Sequence, residues 1–286
     1  MECGNEIEES RTKPMTWTAY HVSLRMLSPM HIGWRKLGNL QQTRAYITGR
    51  TLWGALTARI TREQGRNDYR EIGRLVDEYL TFTYFYPSTK PNTVTHWPWP
   101  NQWDEFAWTF LSSYASTALE DGHSAEAGSL HETEFIAPYA RDEEQKPVFL
   151  VGYIFERGDC NPLLHGWRKA LDRLQIGGER SYGWGRVRLE GTCELVTTNK
   201  CFGYDLFCDK DHPQITVPED KELLAHTVDP NNDHITGSIE PLLGRETQKS
   251  GFGESFSDVE ICWVPGSKAA QSKPFQIQQK GIWRPA

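Results

Sequence analysis

Apolar and polar residues alternate through the first patterned stretch of the chain. Trp17, Ala19, His21, Ser23 and Arg25 take turns with Thr18, Tyr20, Val22, Leu24 and Met26, which predicts a strand from Trp17 to Leu27 ended by Pro29. The period then lengthens. Leu52, Ala55, Leu56 and Ile60 recur at helical spacing, so a helix is expected from about Thr51 to about Thr61, with Arg59 and Arg62 near the end where cations suit its dipole. A second helix is expected over Tyr69 to Tyr79, a short aromatic strand over Thr81 to Tyr86, and a helix over Phe106 to Leu119. Thr133 to Tyr139 and Val148 to Phe155 read as strands, and the second hardly alternates, as an interior strand should. Asn161 at a cap and Pro162 at the first helical position open a helix through Leu174, after which Arg186-Val187-Arg188-Leu189-Glu190 alternates as a strand. From His31 to Arg44 no period is sustained, and the stretch reads as a loop.

Strand, helices and strands, followed by strand, helix and strand, predict an α+β fold: a split β-α-β sandwich with helices on one face of an antiparallel sheet. Pro87 to Trp103, with Pro91, Pro98, Pro100, Trp97 and Trp99, excludes continuous helix and reads as an ordered insertion whose aromatics either anchor it to the body or stack on bases. Beyond Thr197 the pattern weakens, and Cys201 to Glu222 reads as irregular. Strands are expected to return at Ile235 to Leu243 and Val259 to Val264. The expected division is a flexible arm over residues 1–15, a body over 16–267 with an insertion at about 84–131 and an irregular segment at about 198–234, and a basic tail over 268–286.

At 286 residues with 38% hydrophobic content, the chain can build one large core or two modest ones, and its eleven tryptophans and eleven tyrosines supply much of the burial. No apolar run approaches membrane-spanning length, and Met1 to Glu6 is acidic where a signal peptide would be basic, so a cytoplasmic protein with no membrane partner is expected. The six cysteines lie at 3, 160, 193, 201, 208 and 262, without zinc-finger spacing. They read as free thiols; a knuckle of Cys201, Cys208 and His212 is the alternative, and no metal or cofactor is expected. The net charge of −7 hides a segregation. His31 to Arg66 holds seven Lys/Arg against Glu63 alone, Arg168 to Arg188 holds six against Asp172 and Glu179, and the last twenty residues hold four bases and no acid. Basic stretches on an acidic chain suit an electrostatic binding groove.

Two of those stretches carry candidate chemistry. In Gly177-Gly178-Glu179-Arg180-Ser181-Tyr182-Gly183-Trp184-Gly185-Arg186-Val187, four glycines and two arginines are interleaved between a helix and a strand. Such glycines can bring amide N–H groups to an anion, Arg180 and Arg186 can bond phosphates, Tyr182 and Trp184 can stack on bases, and a tight packing turn is the competing reading. No Gly-Lys-Ser/Thr closes the loop, which excludes a P-loop. In the other stretch, Arg35, Lys36 and Arg44 read as flexible loop cations, Asn39, Gln41 and Gln42 as readers of base edges, and Trp34 as a stacking residue or core anchor. Arg50 and Thr51 sit at a helix start, where free amides attract phosphate. His31 either serves as a general base or makes a buried hydrogen bond that fixes the strand end.

Ser28-Pro29-Met30-His31-Ile32-Gly33, followed by Tyr46-Ile47-Thr48-Gly49-Arg50-Thr51-Leu52-Trp53-Gly54-Ala55-Leu56 and then by the glycine-rich loop, resembles the RAMP superfamily of CRISPR-associated proteins. Val264-Pro265-Gly266-Ser267 is similar to an element near the C-terminus of some members. The resemblance implies a ferredoxin-like or RRM-like fold and binding of CRISPR RNA, with His31, Trp34, Arg35, Lys36, Asn39, Gln41, Gln42, Arg44, Arg50, Thr51, Gly177, Gly178, Arg180, Ser181, Tyr182, Gly183, Trp184 and Arg186 as the RNA-binding set. Cleaving backbone subunits of type III complexes carry an aspartate after the His-Ile-Gly element, whereas His31 to Arg66 here contains none. That departure implies a non-catalytic subunit that holds the 5′ tag of the crRNA and contacts the large subunit and backbone subunits, with target RNA in the assembled complex. The Leu37 to Arg44 stretch looks most like the capping subunit of a type III-D complex. A RAMP endoribonuclease using His31 with Tyr46 and Lys36 is one alternative, and a backbone or structural bridge is another. A hairpin or thumb between Tyr84 and His131 would lie across the guide.

Overall fold

In the computed structural model, residues 16–120, 124–229, 234–247 and 252–286 are described, so the arm expected over residues 1–15 lies outside the described residues. The first half opens with β1 (Trp17–Met26), β2 (Gly33–Leu37) and β3 (Leu40–Thr43), followed by α1 (Gly49–Glu63) and α2 (Tyr69–Tyr79). β4 (Leu80–Phe82), β5 (Tyr86–Ser88), α3 (Trp103–Phe110), β6 (Leu111–Ser116) and β7 (His131–Ile136) come next. β8 (Phe149–Arg157), α4 (Trp167–Ala170), β9 (Val187–Leu189) and β10 (Glu194–Leu195) complete it. The main sheet places β8 between β1 and the β4/β5 edge, with β9 and β10 on the far side of β1, every pairing antiparallel. Numbering its four strand positions along the chain gives the order 4-1-3-2, the split β-α-β-β-α-β arrangement of a ferredoxin-like α+β fold.

β8 is interior, which explains its unalternating sequence: Phe149, Leu150, Val151, Ile154 and Phe155 are all buried. On one face α1 packs against α2 and α4, and Tyr20 of β1 meets Trp167 edge-on. The helix expected through Leu174 is broken into a 3-10 turn at Pro162–Leu164, the short α4, and a second 3-10 turn at Leu171–Arg173. Gly166, a poor helix former, sits at the interruption.

The expected loop from His31 to Arg44 is instead the β2–β3 hairpin, turned by Gly38-Asn39 with Gly38 at φ +57°. A two-residue Gly-Asn turn favours a hairpin without a hydrophobic period on either strand, which is why the sequence pattern hides it. β3 pairs in parallel with β7, and β7 pairs antiparallel with β6, giving a four-stranded sheet in the order β2-β3-β7-β6. The helix expected over Phe106 to Leu119 ends at Phe110, where Leu111-Ser112-Ser113-Tyr114 continues as β6. Serines and an aromatic residue favour that change over a continued helix.

The segment expected to be irregular carries β11 (Lys200–Cys201), β12 (Tyr204–Phe207) and β13 (Gln214–Val217). β14 (Ile235–Thr236), β15 (Ile239–Leu242), β16 (Arg245–Thr247), β17 (Phe252–Phe256), β18 (Glu260–Trp263) and β19 (Lys268–Ala269) follow, and they form the two-stranded ribbons β14–β19, β15–β18 and β16–β17. The basic tail is not a tail: β20 (Lys273–Ile277) and β21 (Trp283–Pro285) extend a five-stranded sheet in the order β11-β12-β13-β20-β21. Its alternation is real but short, with Ile215, Val217, Phe275, Ile277 and Trp283 buried between more exposed neighbours. This second half covers the helix-free face of the main sheet, where Phe202 meets Tyr153 and Tyr86 edge-on and the Tyr86 hydroxyl donates to the Leu224 carbonyl at 2.6 Å. Trp97 and Trp99 stack on each other and both meet Tyr86 edge-on, so the proline-rich insertion is anchored to the body.

Candidate nucleic-acid interface

The glycine-rich loop and the β2–β3 hairpin meet at His31. The His31 ring is buried, and because the Glu134 carbonyl 2.7 Å from Nδ1 can only accept, Nδ1 carries the proton. The loop rests on the backbone of the same segment: the Gly178 amide donates to the His31 carbonyl at 2.9 Å and the Gly185 amide to the Pro29 carbonyl at 2.7 Å. Gly177 and Gly185 have φ +87° and +77°, and a Cβ on either would overlap the carbonyl of His31 or Ile176 respectively. Tyr182 and Gly183 donate within the loop, Arg186 donates to the Ser28 hydroxyl, and Gln175 Nε2 ties the Arg180 and Trp184 carbonyls together. The expectation of amides converging on an anion is therefore corrected, because most of these donors are spent on folding the loop. Its glycines serve close packing.

What the loop presents is side chains. Arg180, Ser181 and Tyr182, the last to 80%, are exposed on a 3-10 turn entered through Glu179 at φ +53°, and Arg186 is exposed beyond it. Trp184 faces inward and meets Phe135 of β7 edge-on at 5.0 Å, joining the loop to the hairpin sheet. On the hairpin, Trp34, Arg35, Lys36 and Asn39 are exposed, and the Arg35 guanidinium lies 3.5 Å over the Trp34 ring. Gln41 and Gln42 are half-buried on β3.

Arg44, Arg50 and Thr51 are placed otherwise than as open cations and a free amide. The Arg44 guanidinium donates to Glu240 at 2.6 Å, with both side chains largely buried. Arg50 reaches the Arg245 carbonyl at 3.3 Å and the Glu246 carboxylate at 3.4 Å, and the Thr51 amide donates to the capping Thr48 hydroxyl at 3.3 Å. The cause is the second half of the chain, which brings acids against these cations. Trp34, Arg44, Arg50 and Thr51 line a groove of about 840 Å³ whose other wall includes Phe256, Gln278, Lys280 and Arg284. Lys280 pairs with Asp77 at 3.4 Å, and Arg284 pairs with Glu260. The glycine loop does not line this groove.

Glu240 is the hub that sequence reasoning missed. Its Oε1 accepts from Arg44 and from His226 Nε2, while Oε2 accepts from the Trp34 indole at 3.1 Å. Burial alone would raise this carboxyl, but the His226 hydrogen bond and the Arg44 charge outweigh burial and hold it at about 2. Burial pushes the fully buried His226 down from its ordinary range, so the ring is neutral, donates from Nε2 and accepts the Tyr84 hydroxyl at Nδ1 over 2.6 Å. Nothing at positions 84, 226 and 240 carries a motif; only the tertiary fold unites them. Burial also raises the Cys201 and Cys208 thiols, and no group of three or more His, Cys, Asp or Glu able to hold a metal occurs among the described residues. No helix of the described residues is long and apolar enough to cross a membrane.

No family model matches the chain, and no curated protein matches it. Among solved structures, a chain of the Type III-B Cmr-beta complex bound to cognate target RNA and AMPPnP is similar at 11% identity and a TM-score of 0.50, over 87% of this chain and 85% of its own. A chain of the Type III-B Cmr-beta Apo state gives 11% identity and a TM-score of 0.41 over 63% of this chain and 97% of its own. The first of these likenesses is one of fold, and its coverage takes in both halves of the chain.

Proposed function

We propose that this chain is a non-catalytic RNA-binding subunit of a type III CRISPR effector, holding the 5′ tag of the crRNA and bridging the large subunit to the backbone subunits. The observation that carries the reading is the exposed set formed by Trp34, Arg35, Lys36 and Asn39 on the hairpin with Arg180, Ser181, Tyr182 and Arg186 on the glycine loop, joined through His31 and the Phe135–Trp184 contact. Cations beside aromatic faces and amide side chains hold single-stranded RNA by phosphate contact and stacking. The fold shared with a chain of an RNA-bound Type III-B Cmr-beta complex supports the same reading. Holding is favoured over cutting because His31 is buried, with its Nδ1 proton committed to a backbone carbonyl, and because no aspartate occurs between His31 and Arg66.

The test is copurification of the effector with its small RNA. A variant with Arg35, Lys36, Arg180 and Arg186 all replaced by alanine is expected to lose RNA of uniform 5′ sequence while still assembling with its partners. Full RNA occupancy in that variant overturns the reading. Metal-free cutting of repeat RNA by the purified chain, abolished by His31→Ala, would replace it with a processing endoribonuclease. Partner binding with no RNA in the unaltered protein would leave a structural bridge.

A further inference from the structure

β6 is a sheet edge that carries no charge and no proline of its own. Edge strands expose unpaired backbone groups, and folded proteins shield them with charges, prolines, shortness or a cover. Every other edge strand among the described residues has such a device. β2 carries Arg35 and Lys36, β5 carries Pro87, β9 carries Arg188, β21 carries Arg284 and Pro285, and β10 and β11 are two residues long. β4 is covered by the Gln279–Gly281 turn, and each strand of the two-stranded ribbons is two residues long or includes a charged residue. β6 is six residues long and reads Leu-Ser-Ser-Tyr-Ala-Ser.

Its outward groups follow from its pairing. The Ala137 amide donates to the Phe110 carbonyl at 2.8 Å, and Leu111 lies opposite Ile136. Alternation along an antiparallel ladder then turns Ser112, Tyr114 and Ser116 toward β7 and the backbone of Leu111, Ser113 and Ala115 outward. Arg141 caps the Leu111 carbonyl at 3.2 Å, leaving Ser113 and Ala115 as the open rungs. Tyr114, exposed to 60%, lies between them, and Trp108, exposed to 63%, lies against the Arg141 guanidinium that caps Leu111.

Charge selects the occupant. Among the described residues of 103–146, eight carboxylates besides Glu134, which is tied to the Thr43 amide (Asp104, Glu105, Glu120, Glu126, Glu132, Asp142, Glu143 and Glu144), stand against Arg141 and Lys146. Such an excess of acid in the segment that carries β6 disfavours RNA, and a second copy would set like charges against each other. We infer that β6 is a docking edge for an extended, basic segment of a partner protein, which adds to the sheet as a fifth, antiparallel or parallel strand. β6 is the edge of the four-stranded sheet opposite the β2 edge proposed for RNA, so the two readings are tested by different residues.

The test uses the full chain with an acetylated and amidated (Lys-Val)₄ peptide as probe, beside (Glu-Val)₄, a (Lys-Val)₄ variant with a central proline, and a single-stranded RNA oligomer. The basic peptide is expected to slow amide exchange at Ser113 and Ala115, with neither the acidic nor the proline peptide doing so. Ala115→Pro removes an outward N–H, and Ala115→Lys keeps every backbone group while opposing the basic peptide; each is expected to weaken binding about tenfold. Equal binding of the acidic peptide, unchanged binding by Ala115→Lys, or exchange protection elsewhere overturns the proposal. Protection of the same amides by the RNA, or self-association through this edge without peptide binding, overturns it in favour of RNA or a second copy.

Discussion

Replacing Glu240 by alanine would leave the Arg44 guanidinium, the Trp34 indole and the buried His226 without their shared acceptor. Removing one partner of a buried charged pair costs about 3–5 kcal/mol, so the variant is expected to lose that order of stability in urea unfolding. The pH dependence has a definite sign. The His226 pKa is lowered on folding, so its contribution is complete above the ordinary value of 6.5 and is lost as pH falls below it; the Glu240 carboxyl is also lowered, and its contribution is lost as pH falls from 4.5 toward about 2. Asp77 runs the other way. Burial raises it to about 6 despite Lys280, and its buried Oδ1 has no hydrogen-bond partner, so ionisation destabilises the fold as pH rises from 3.8 through about 6. Asp77→Asn is expected to remove this component and flatten unfolding free energy against pH across that window, as read by chemical denaturation. Gly185→Ala forces a side chain into a left-handed backbone against the Ile176 carbonyl, and a loss of at least about 1–2 kcal/mol is expected as a lowered thermal midpoint.

At the scale of elements, legibility followed the length and regularity of each pattern. β1, α1, α2 and β8 stand close to where their periods put them, because each buries a long stripe that nothing else in the sequence can satisfy. The β2–β3 hairpin escaped because none of the β2 side chains is buried, which leaves no hydrophobic signature on that strand, and Gly38-Asn39 was the only clue. β20 and β21 escaped because basic residues and proline mask short alternations that become meaningful only beside β13. For the candidate site, the glycine loop and the hairpin cations were visible as residues, whereas the pairing of Arg44 and Arg50 depended on acids about two hundred positions away.

For the whole molecule, the division of charge makes a measurable claim about RNA. If Arg35, Lys36, Arg180 and Arg186 each meet a phosphate, log affinity against log salt should fall with a slope of about −2.8, and each alanine substitution should flatten it by about 0.7. Arg44→Lys, which keeps the charge inside its pair with Glu240, should leave that slope unchanged. The seam between the halves has a different consequence. Gly49, at the start of α1, lies so close to the Lys280–Gly281 backbone that a Cβ there would overlap the Lys280 carbonyl. Contacts that join residue 49 to residue 280 carry a large loop-closure cost and form late in folding. During synthesis, α1 and the hairpin emerge long before the strands that give Arg44 and Arg50 their acids. A nascent chain halted before β15 would display those arginines bare, and the groove comes into being only when the last strands arrive.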